Sequence, residues 1–455
     1  MNIYRLKSFV LIIGDLAVFY MSLALTIALR YGSGGLEKWW LTHLAPFSAL
    51  FVLWIVIFVI AGLYDPLSFS ASRFVRERVI RTMLFAGAVS IAIFYIYPQP
   101  TITPKTNLAM DLVLSAIFLI IWRGFYGKIL ARSDKTKVIF FGWSNETEEI
   151  INLLYGNPQL GYEPIAVIMP SESEKPKTIL PTFVFNQNLT KLIYEKRARL
   201  IVASLDIHNN YDFIKMIYEV LPLGVAYLNF PQFYERITGK IPVSMISEMW
   251  FLENMTENEK RVFEILKRTF DVFAGVMLGI IALLILPFAA TAIKLGDPGP
   301  VFFRQKRVGR NGKIFELIKF RSKIHDEAWK NSGWHKEEDK KRTTLIGKII
   351  RKSYIDELPQ ALNIIKGEMS LIGPRPERPE FVENLKIQIP HYMMRLLVRP
   401  GISGWAQIKM KYDASAADAL EKLQYDLYYI KNRSFGLDVS IALKTLFAMI
   451  SRSGK

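Results

Sequence analysis

The sequence predicts a membrane protein in three parts. Four transmembrane helices come first, a parallel-sheet α/β domain follows, and a small α/β domain begins with a re-entrant membrane helix. Three observations support this: five long apolar segments, an uneven distribution of basic residues around them, and alternating strand-like and helix-like runs after the fourth segment. The predicted boundaries are residues 1–130, 131–250 and 251–455, with the re-entrant helix at about residues 270–293.

The composition narrows the possible partners and chemistry. Hydrophobic residues make up 51% of the 455-residue chain, and its formal net charge is +17. A basic membrane protein favours anionic partners such as phospholipid headgroups and phosphorylated substrates. Nucleic acid is not an expected partner, because basic residues are already needed at the cytoplasmic flanks of membrane segments. The chain has no cysteine, which excludes disulfides, thiolate catalysis and cysteine-based metal sites.

The first four apolar segments predict the transmembrane helices and their orientation. They cover approximately Ser8–Leu29, Ala45–Tyr64, Met83–Tyr97 and Leu108–Trp122. The first is too long for a cleavable signal peptide, so it is expected to be a retained anchor. Basic residues precede the first segment, separate the second from the third and follow the fourth: Arg5, Lys7, Arg73, Arg76, Arg78, Arg81, Arg123, Lys128, Arg132, Lys135 and Lys137. The N-terminus and everything after the fourth segment are therefore predicted to be cytoplasmic.

The second part alternates strand-like and helical stretches, which predicts an open parallel sheet of Rossmann type. Its strand-like runs are Lys137–Gly142, Pro164–Met169, Leu200–Ala203 and Val225–Asn229. A dinucleotide fingerprint needs three glycines after the first strand, and only Gly142 is present. Trp143 and Glu146 would also obstruct a pyrophosphate at that turn. We therefore expect a structural or regulatory role for this domain.

The fifth apolar segment, Val272–Ile293, is predicted to enter the membrane and return to the same face. Basic residues flank it on both sides, and Pro287 interrupts it. Proline removes a backbone donor and bends a helix, which suits a segment that dips into the bilayer. The alternative is an ordinary fifth crossing, which would place the rest of the chain outside.

From Lys267 to its end the chain resembles the bacterial sugar transferases of the monotopic polyprenyl-phosphate phosphoglycosyl transferase type. The matching motifs are Lys267-Arg268-x-x-Asp271, Gly299-Pro-Val-Phe-Phe-Arg304-Gln-x-Arg307-x-Gly309, Lys319-Phe-Arg321-Ser322, Asp356-Glu357-Leu-Pro-Gln, Met369-Ser370-x-x-Gly373-Pro-Arg375-Pro, Arg399-Pro-Gly-Ile-Ser-Gly-Trp-Ala-Gln407 and Tyr425-Asp-Leu-Tyr-Tyr-Ile-Lys431-Asn. With its N-terminal spans and degenerate Rossmann-like domain, the chain looks like the long form of the family. One departure is Lys323, where members commonly have methionine after Phe-Arg-Ser.

The resemblance implies an activity, its partners and a location. Members transfer a sugar-1-phosphate from a UDP-sugar to polyprenyl phosphate, such as undecaprenyl phosphate, and release UMP. The product starts a lipid-linked glycan for capsule, exopolysaccharide or O-antigen. Membrane lipid and a second copy of the chain, as a homodimer, are further expected partners. The expected location is the bacterial inner membrane, with both α/β domains in the cytoplasm.

Asp356 and Glu357 are the expected catalytic residues. An ionised carboxylate close to phosphorus can form an acyl-phosphate. The resemblance implies that Asp356 attacks the phosphate joined to the sugar and gives a covalent aspartyl-phosphosugar. Either a Ser353 cap or Pro359 in a first turn would place Asp356 near a helix N-terminus. Glu357 is expected to orient a Mg²⁺ ion or to steer the lipid phosphate, so the expected metal residues are Asp356 and Glu357 with Mg²⁺ as cofactor.

Basic residues are expected to bind the phosphates and the membrane. Arg375 lies between Pro374 and Pro376, which preset its backbone for a bidentate phosphate contact. The other expected phosphate-binding residues are Arg351, Arg304, Lys319 and Arg321. Lys267, Arg268 and Pro287 are expected to contact the polyprenyl phosphate and the membrane interface. For the two basic residues, anchoring to anionic lipid is an equally good explanation.

Two competing functions remain open. Tyr211 and Lys215 have the Tyr-x-x-x-Lys spacing of membrane-anchored nucleotide-sugar dehydratases, but the glycine-rich cofactor turn is missing. The second alternative is a non-enzymatic scaffold or regulator of polysaccharide assembly. The Asp356, Glu357 and Arg375 motifs argue against that alternative.

Overall fold

The computed structural model describes residues 3–32, 34–69, 72–96, 104–170, 178–185, 189–203, 211–255, 260–324, 343–410 and 416–452. The chain divides into two compact units, Met1–Phe230 and Pro231–Lys455.

The first unit opens with four long helices. They are α1 (Ile3–Tyr31), α2 (Gly35–Ile60), α3 (Arg73–Ile96) and α4 (Pro104–Arg132). Each is long and apolar enough to cross a membrane, which confirms the predicted apolar helices; the number that cross stays a prediction. Aromatic rings fill the interior between α1 and α2, where Phe19 lies 5.2 Å from Trp54 and 5.4 Å from Phe51, centroid to centroid.

Helices α1 and α4 run antiparallel, because polar contacts join opposite ends of the two. Arg30 Nη1 donates to Asn107 Oδ1 at 2.5 Å, where α1 ends and α4 begins. Near the middle of α1 and towards the end of α4, Arg123 forms a buried ion pair with Asp15. The Tyr64 hydroxyl also donates to Asp15 Oδ2, at 2.8 Å. A buried charge needs such partners, so the ion pair fixes the register of the two helices.

The rest of the first unit is a parallel five-stranded sheet. Its elements are β1 (Thr136–Phe141), α5 (Asn145–Gly156), β2 (Tyr162–Met169), β3 (Thr182–Val184), α6 (Leu189–Lys196), β4 (Leu200–Ala203), α7 (Tyr211–Val220) and β5 (Ala226–Asn229). The strand order is β3-β2-β1-β4-β5, which confirms the predicted parallel-sheet α/β domain. Apolar side chains such as Ile139, Ile201 and Phe213 form its core. Strand β3 was not predicted, because three partly exposed residues give little pattern.

The second unit begins with two short helices and the segment that joins them, which pack on its core. Helix α8 (Phe230–Thr238) starts at the last residue of the first unit, and α9 (Glu248–Asn254) follows. Residues 231–250, which the predicted boundary gives to the Rossmann-like domain, belong to the second unit. Ile241 and Trp250 lie in one hydrophobic cluster with Leu427 and Ile430. The three-part division of the chain stays a prediction.

Helix α10 (Arg261–Gly296) is 36 residues long and contains Pro287 in its interior. One face packs on its own unit: a Cβ on Gly275 would lie 3.1 Å from Ile364, and Ile293 belongs to a cluster with Phe320. The opposite face exposes large apolar side chains along most of the helix, including Val262, Ile265, Phe273, Leu283, Leu284, Phe288 and Leu295. A continuous apolar face of this length favours contact with a membrane.

Two small sheets and several helices complete the second unit. The elements are β6 (Phe302–Val308), β7 (Ile314–Phe320), α11 (Leu345–Lys352), α12 (Ala361–Lys366), β8 (Ser370–Ile372), α13 (Pro379–Gln388), β9 (Gly401–Ser403), α14 (Trp405–Lys409), α15 (Ala416–Asn432) and α16 (Phe435–Arg452). Strands β6 and β7 form an antiparallel hairpin, and β8 pairs with β9 in parallel. A Cβ on Gly373 would overlap the Arg399 carbonyl, so the chain after β8 passes directly against the segment before β9.

Candidate active site

A sharp turn between two helices presents the paired carboxylates. Helix α11 ends at Lys352, and Tyr354 has a left-handed backbone, with φ of 57°. A 3₁₀ helix, Ile355–Gln360, follows and carries Asp356 and Glu357 in its first turn. The expected cap by Ser353 is wrong. Its hydroxyl is instead directed back at the last turn of α11, where it lies 2.9 Å from the Ile349 carbonyl and 3.1 Å from the Ile350 carbonyl.

Glu357 binds two of the predicted phosphate-binding residues. Its Oε1 accepts hydrogen bonds from Lys319 Nζ at 2.6 Å and from Arg375 Nη2 at 3.3 Å. Strand β7 supplies Lys319, and the loop after β8 supplies Arg375. The structure therefore brings Glu357, Lys319 and Arg375 together beside Asp356. We call these four residues the dyad cluster.

The two cations hold Glu357 in its ionised form. Burial alone would raise the pKa of Glu357, but Arg375 and Lys319 outweigh it and bring the pKa down to about 2. The pKa of Arg375 is raised, chiefly by Glu357. Burial lowers the pKa of Lys319, and Glu357 opposes that shift. Glu357 is thus a permanent anion that fixes two cations next to its neighbour.

Asp356 differs from Glu357 in both partners and pKa. Burial raises the pKa of Asp356 above its ordinary value, while Lys319 lowers it and Glu357 raises it. In the part of the chain that the structure describes, its carboxylate accepts no hydrogen bond. The residue is 9% exposed. Once ionised, this carboxylate has lone pairs available for an incoming electrophile, with two cations nearby to bind an anionic substrate.

Hydrogen bonds hold the backbone around Arg375. Four consecutive carbonyl oxygens accept them: Pro374 from Gly401 N (2.9 Å), Arg375 from Arg395 Nη2 (3.0 Å), Pro376 from Arg307 Nη1 (2.8 Å) and Glu377 from Val308 N (2.9 Å). The two flanking prolines restrict φ in addition. The guanidinium of Arg375 therefore extends from a rigid segment, and its contact with phosphate stays a prediction.

A buried ionic group lies behind this segment and was not predicted. It consists of Glu377, Arg395, Lys422 and Asp426, which we call the supporting cluster. Arg395 donates to Asp426 Oδ2 from Nε at 3.0 Å and from Nη2 at 2.7 Å, and Lys422 donates to Glu377. Helix α15 supplies Lys422 and Asp426, far along the chain from Arg375. The motif that contains Asp426 was the only sequence signal for this cluster.

Asp271 joins α10 to the site. It is buried on α10, and its Oδ1 accepts hydrogen bonds from Ser370 Oγ and the Leu371 amide, both at 3.0 Å. Strand β8, which contains both donors, leads directly to Arg375. The sequence placed Asp271 in a motif but gave it no role. Its contacts indicate that it positions β8 on α10.

Three other predicted phosphate-binding residues make contacts outside the dyad cluster. Arg304 Nη1 lies 3.6 Å from Glu316 on the exposed hairpin. Arg321 is buried and pairs with Asp297 at 2.7 Å, where α10 ends. Arg351 donates to Thr343 at 3.3 Å, although its charge still lowers the pKa of Asp356. Their role in phosphate binding stays a prediction.

The predicted membrane-interface residues have partners in the second unit. Lys267 Nζ donates to Asp438 Oδ2 at 2.5 Å. Arg268 donates to the Ile364 and Ile365 carbonyls at 2.7 and 2.8 Å, at the end of α12. Pro287 lies within α10 beside the exposed Phe288. These contacts attach α10 to its unit, and a lipid contact by the three residues stays a prediction.

The carboxylates are compatible with magnesium. Among the described residues no group of three or more His, Cys, Asp and Glu side chains is placed to hold a metal. Mg²⁺ commonly takes only one or two protein carboxylates together with substrate phosphates and water. Asp356 and Glu357 are adjacent oxygen donors of this kind, so the donor set fits an ion that arrives with a phosphorylated substrate.

Comparison with known proteins identifies the family. The family model "Bacterial sugar transferase" matches residues 262–452. The "Uncharacterized sugar transferase EpsL" of Bacillus subtilis is 39% identical over 190 residues, which cover 42% of this chain and 90% of that protein. The chain belongs to the bacterial sugar transferase family.

Longer relatives are also similar. The "UDP-N-acetylgalactosamine-undecaprenyl-phosphate N-acetylgalactosaminephosphotransferase" of Aeromonas hydrophila is 41% identical over 49% of this chain and 52% of its own. The "UDP-glucose:undecaprenyl-phosphate glucose-1-phosphate transferase" of Escherichia coli is 37% identical over 41% of this chain and 40% of its own. The similar region thus spans about half, or less, of these longer relatives.

Proposed function

We propose that this protein transfers a sugar-1-phosphate from a UDP-sugar to a polyprenyl phosphate, releases UMP and starts a lipid-linked glycan. The observation that carries the proposal is the dyad cluster. A carboxylate that accepts no hydrogen bond from the described residues lies beside a second carboxylate, which holds a lysine and an arginine in place. The names of the longer relatives, which specify UDP-sugars and undecaprenyl phosphate, support the same reaction class.

The first half-reaction transfers the sugar phosphate to the protein. An oxygen of ionised Asp356 attacks the phosphorus joined to the sugar. The bond from that phosphorus to the oxygen bridging it to UMP breaks, and UMP leaves with the bond electrons. Lys319 and Arg375, fixed by Glu357, stabilise negative charge on the phosphate oxygens. The product is an aspartyl-phosphosugar.

The second half-reaction releases the lipid product. An oxygen of the polyprenyl phosphate attacks the phosphorus of the intermediate, and the bond between that phosphorus and Asp356 breaks. A polyprenyl diphosphosugar forms, and the carboxylate of Asp356 is regenerated. Two successive displacements at one residue predict ping-pong kinetics.

Magnesium would be held by Asp356 or Glu357 together with the diphosphate. When bound, it supplies charge that offsets the substrate phosphates. Glu357 already pairs with two cations, so the ion should bind only weakly when no substrate phosphate is present. Removal of divalent ions with EDTA should therefore stop UMP release, and added Mg²⁺ should restore it.

The apolar face of α10 supports a re-entrant position at the cytoplasmic face of the inner membrane. Contacts with the second unit occur near both ends of this helix, from Lys267 with Asp438 to Asp297 with Arg321. A helix crossing the bilayer straight would separate those ends by the full membrane thickness of about 30 Å. Helices α1 to α4 then serve as the transmembrane anchor, as the positive-inside distribution predicts.

Single cysteines can test this topology because the chain has none of its own. Glu253→Cys lies before α10 and Lys313→Cys after it, and Lys38→Cys lies near the start of α2, at the end predicted to be external. An impermeant maleimide should label the first two only in inside-out vesicles and the third only in right-side-out vesicles. Labelling of Lys313→Cys from the same side as Lys38→Cys would establish a fifth crossing.

The direct test of the function measures UMP release from a panel of UDP-sugars with undecaprenyl phosphate and Mg²⁺. Wild type should release UMP from at least one sugar and form a labelled lipid product, whereas Asp356→Asn should do neither. Folded wild-type protein that releases no UMP from any sugar would contradict the proposal. The expected homodimer is also a proposal, and the molar mass of the detergent-solubilised protein tests it.

A further inference from the structure

A stripe of buried polar residues lies along α1 and α4 between the Arg30–Asn107 and Asp15–Arg123 contacts. Residues 26 and 22 lie one and two helical turns below Arg30, and residues 111 and 115 lie the same distances beyond Asn107. Four residues span about 6 Å of helix. The antiparallel register set by Arg30 with Asn107 and by Asp15 with Arg123 therefore places Thr26 level with Asp111, and Ser22 level with Ser115.

All four of these side chains are completely buried, each with 0% exposure. Among the described residues, no hydrogen-bond partner is found for their oxygens: Ser22 Oγ, Thr26 Oγ1, Ser115 Oγ and both carboxylate oxygens of Asp111. Asp15, equally buried on the same pair of helices, has Arg123 and Tyr64 instead. Buried polar groups without partners are rare in folded proteins, and such groups commonly bind a water molecule or an ion. Within a membrane span, a buried ionisable residue also indicates a functional site.

We propose that Asp111, Ser115, Thr26 and Ser22 form a binding site for a small monovalent cation such as Na⁺. The side chains offer only oxygen atoms, which are the donors that hard cations prefer. Asp111 supplies a single negative charge. One monovalent ion neutralises that charge, whereas a divalent ion would leave an uncompensated charge in a medium of low dielectric constant. Protonation of Asp111 would remove its charge, but its single O–H can donate to only one of the three hydroxyl oxygens.

The site would couple the packing of α1 on α4 to cation binding. In the absence of the ion, four polar groups remain unsatisfied along the interface and weaken it. With the ion bound, the interface has a ligand that bridges both helices. A cation that binds only the folded bundle raises its thermal stability in proportion to the logarithm of ion concentration.

Binding of ²²Na⁺ to the full-length protein in detergent, without UDP-sugar or lipid substrate, tests the proposal. Wild type should bind about one Na⁺ per chain. Its melting temperature should rise by about 4 °C between zero and 0.3 M NaCl, relative to N-methylglucamine chloride at equal ionic strength. Asp111→Asn, of nearly equal volume, should lose both effects. Ser115→Ala, which removes one ligand, should weaken Na⁺ binding about tenfold.

Tyr64→Phe is the matched control, because it removes one hydrogen bond to buried Asp15 and keeps the ion pair with Arg123 that sets the register. It should lower the melting temperature and retain Na⁺ binding in the monodisperse fraction. The proposal is wrong if wild type binds no ²²Na⁺, if water alone fills the site so that NaCl and N-methylglucamine chloride give equal stability, or if Asp111→Asn binds as well as wild type. None of these outcomes depends on the transferase activity.

Discussion

The dyad cluster and the supporting cluster are neighbours built from the same residue types, but their pairing differs. In the supporting cluster each carboxylate has a hydrogen-bonded cation: Glu377 has Lys422, and Asp426 has Arg395. In the dyad cluster both cations bind Glu357, and Asp356 accepts no hydrogen bond from the described residues. Completely paired charges form a rigid frame. The incompletely paired carboxylate is the one available for chemistry.

The Arg375 backbone connects the two clusters. Arg395 pairs with Asp426 and also donates to the Arg375 carbonyl, so the supporting cluster positions a cation of the dyad cluster. This division of roles can be tested by changing one carboxylate of each kind.

Asp356→Asn should have the largest effect on activity. The amide has almost the same shape but cannot act as a nucleophile, so UMP release should fall at least ~10³-fold. Glu316→Gln, which changes an exposed acid on β7, is the control and should stay near the wild-type rate. An Asp356→Asn rate within about tenfold of wild type would mean that the under-paired carboxylate is not the reactive group.

Asp426→Asn should have the largest effect on stability. Removing one partner of a buried ion pair leaves Arg395 uncompensated, at a cost of about 3–5 kcal/mol. The melting temperature of the second unit should fall by roughly 6–12 °C, as measured by thermal unfolding in detergent. Glu383→Gln removes an exposed pair with Lys386 and should change the stability by less than about 1 kcal/mol. Equal changes in melting temperature for the two variants would show that the supporting cluster does not stabilise the second unit.

The pH dependence of UMP release should report Asp356 and not Glu357. Asp356 must be ionised to attack, and its pKa is raised, so kcat/KM should fall as pH drops through a value above 3.8. Glu357, with a pKa of about 2, stays ionised over that range. Lys319 lowers the pKa of Asp356, so Lys319→Met should move the acid side of the pH profile to higher pH.

Lys306→Met is the control for that experiment, because it removes an exposed lysine from the same hairpin. Its acid limb should coincide with that of wild type. If the acid side of the pH profile does not move in Lys319→Met, or moves to lower pH, then Lys319 does not lower the pKa of the nucleophile.

Arg304→Gln should have the smallest effect of the series. The sequence assigns Arg304 to phosphate binding, but its described ion pair is with exposed Glu316. Exposed ion pairs contribute about 0–1 kcal/mol, so kcat/KM for the UDP-sugar should stay within about threefold of wild type. A loss above tenfold would place Arg304 among the phosphate-binding residues after all.

The sequence predicts the features that depend on local pattern. Long apolar runs gave the helices, and buried strand-like runs gave four of the five parallel strands. The motif around Arg375 indicated a rigid cation because two prolines act on their immediate neighbour. Such signals need no knowledge of distant contacts.

Contacts between distant parts of the chain were missed or misjudged. Lys319 and Glu357 are 38 residues apart, and Arg375 and Arg395 are 20 apart. Only the tertiary fold joins them.

The predicted cap by Ser353 was wrong because its hydroxyl bonds to carbonyls at the end of α11. A residue pattern does not show whether a serine between two helices bonds to the first helix or to the second.

Trapping the covalent intermediate tests the central claim most directly. Purified wild-type protein is incubated with the active UDP-sugar and Mg²⁺ without polyprenyl phosphate, and its intact mass is measured. The account predicts up to one UMP released per chain and a mass increase equal to one sugar phosphate, located on Asp356, which polyprenyl phosphate then removes. UMP formation only when the lipid acceptor is present, with no change in protein mass, would contradict a nucleophilic Asp356.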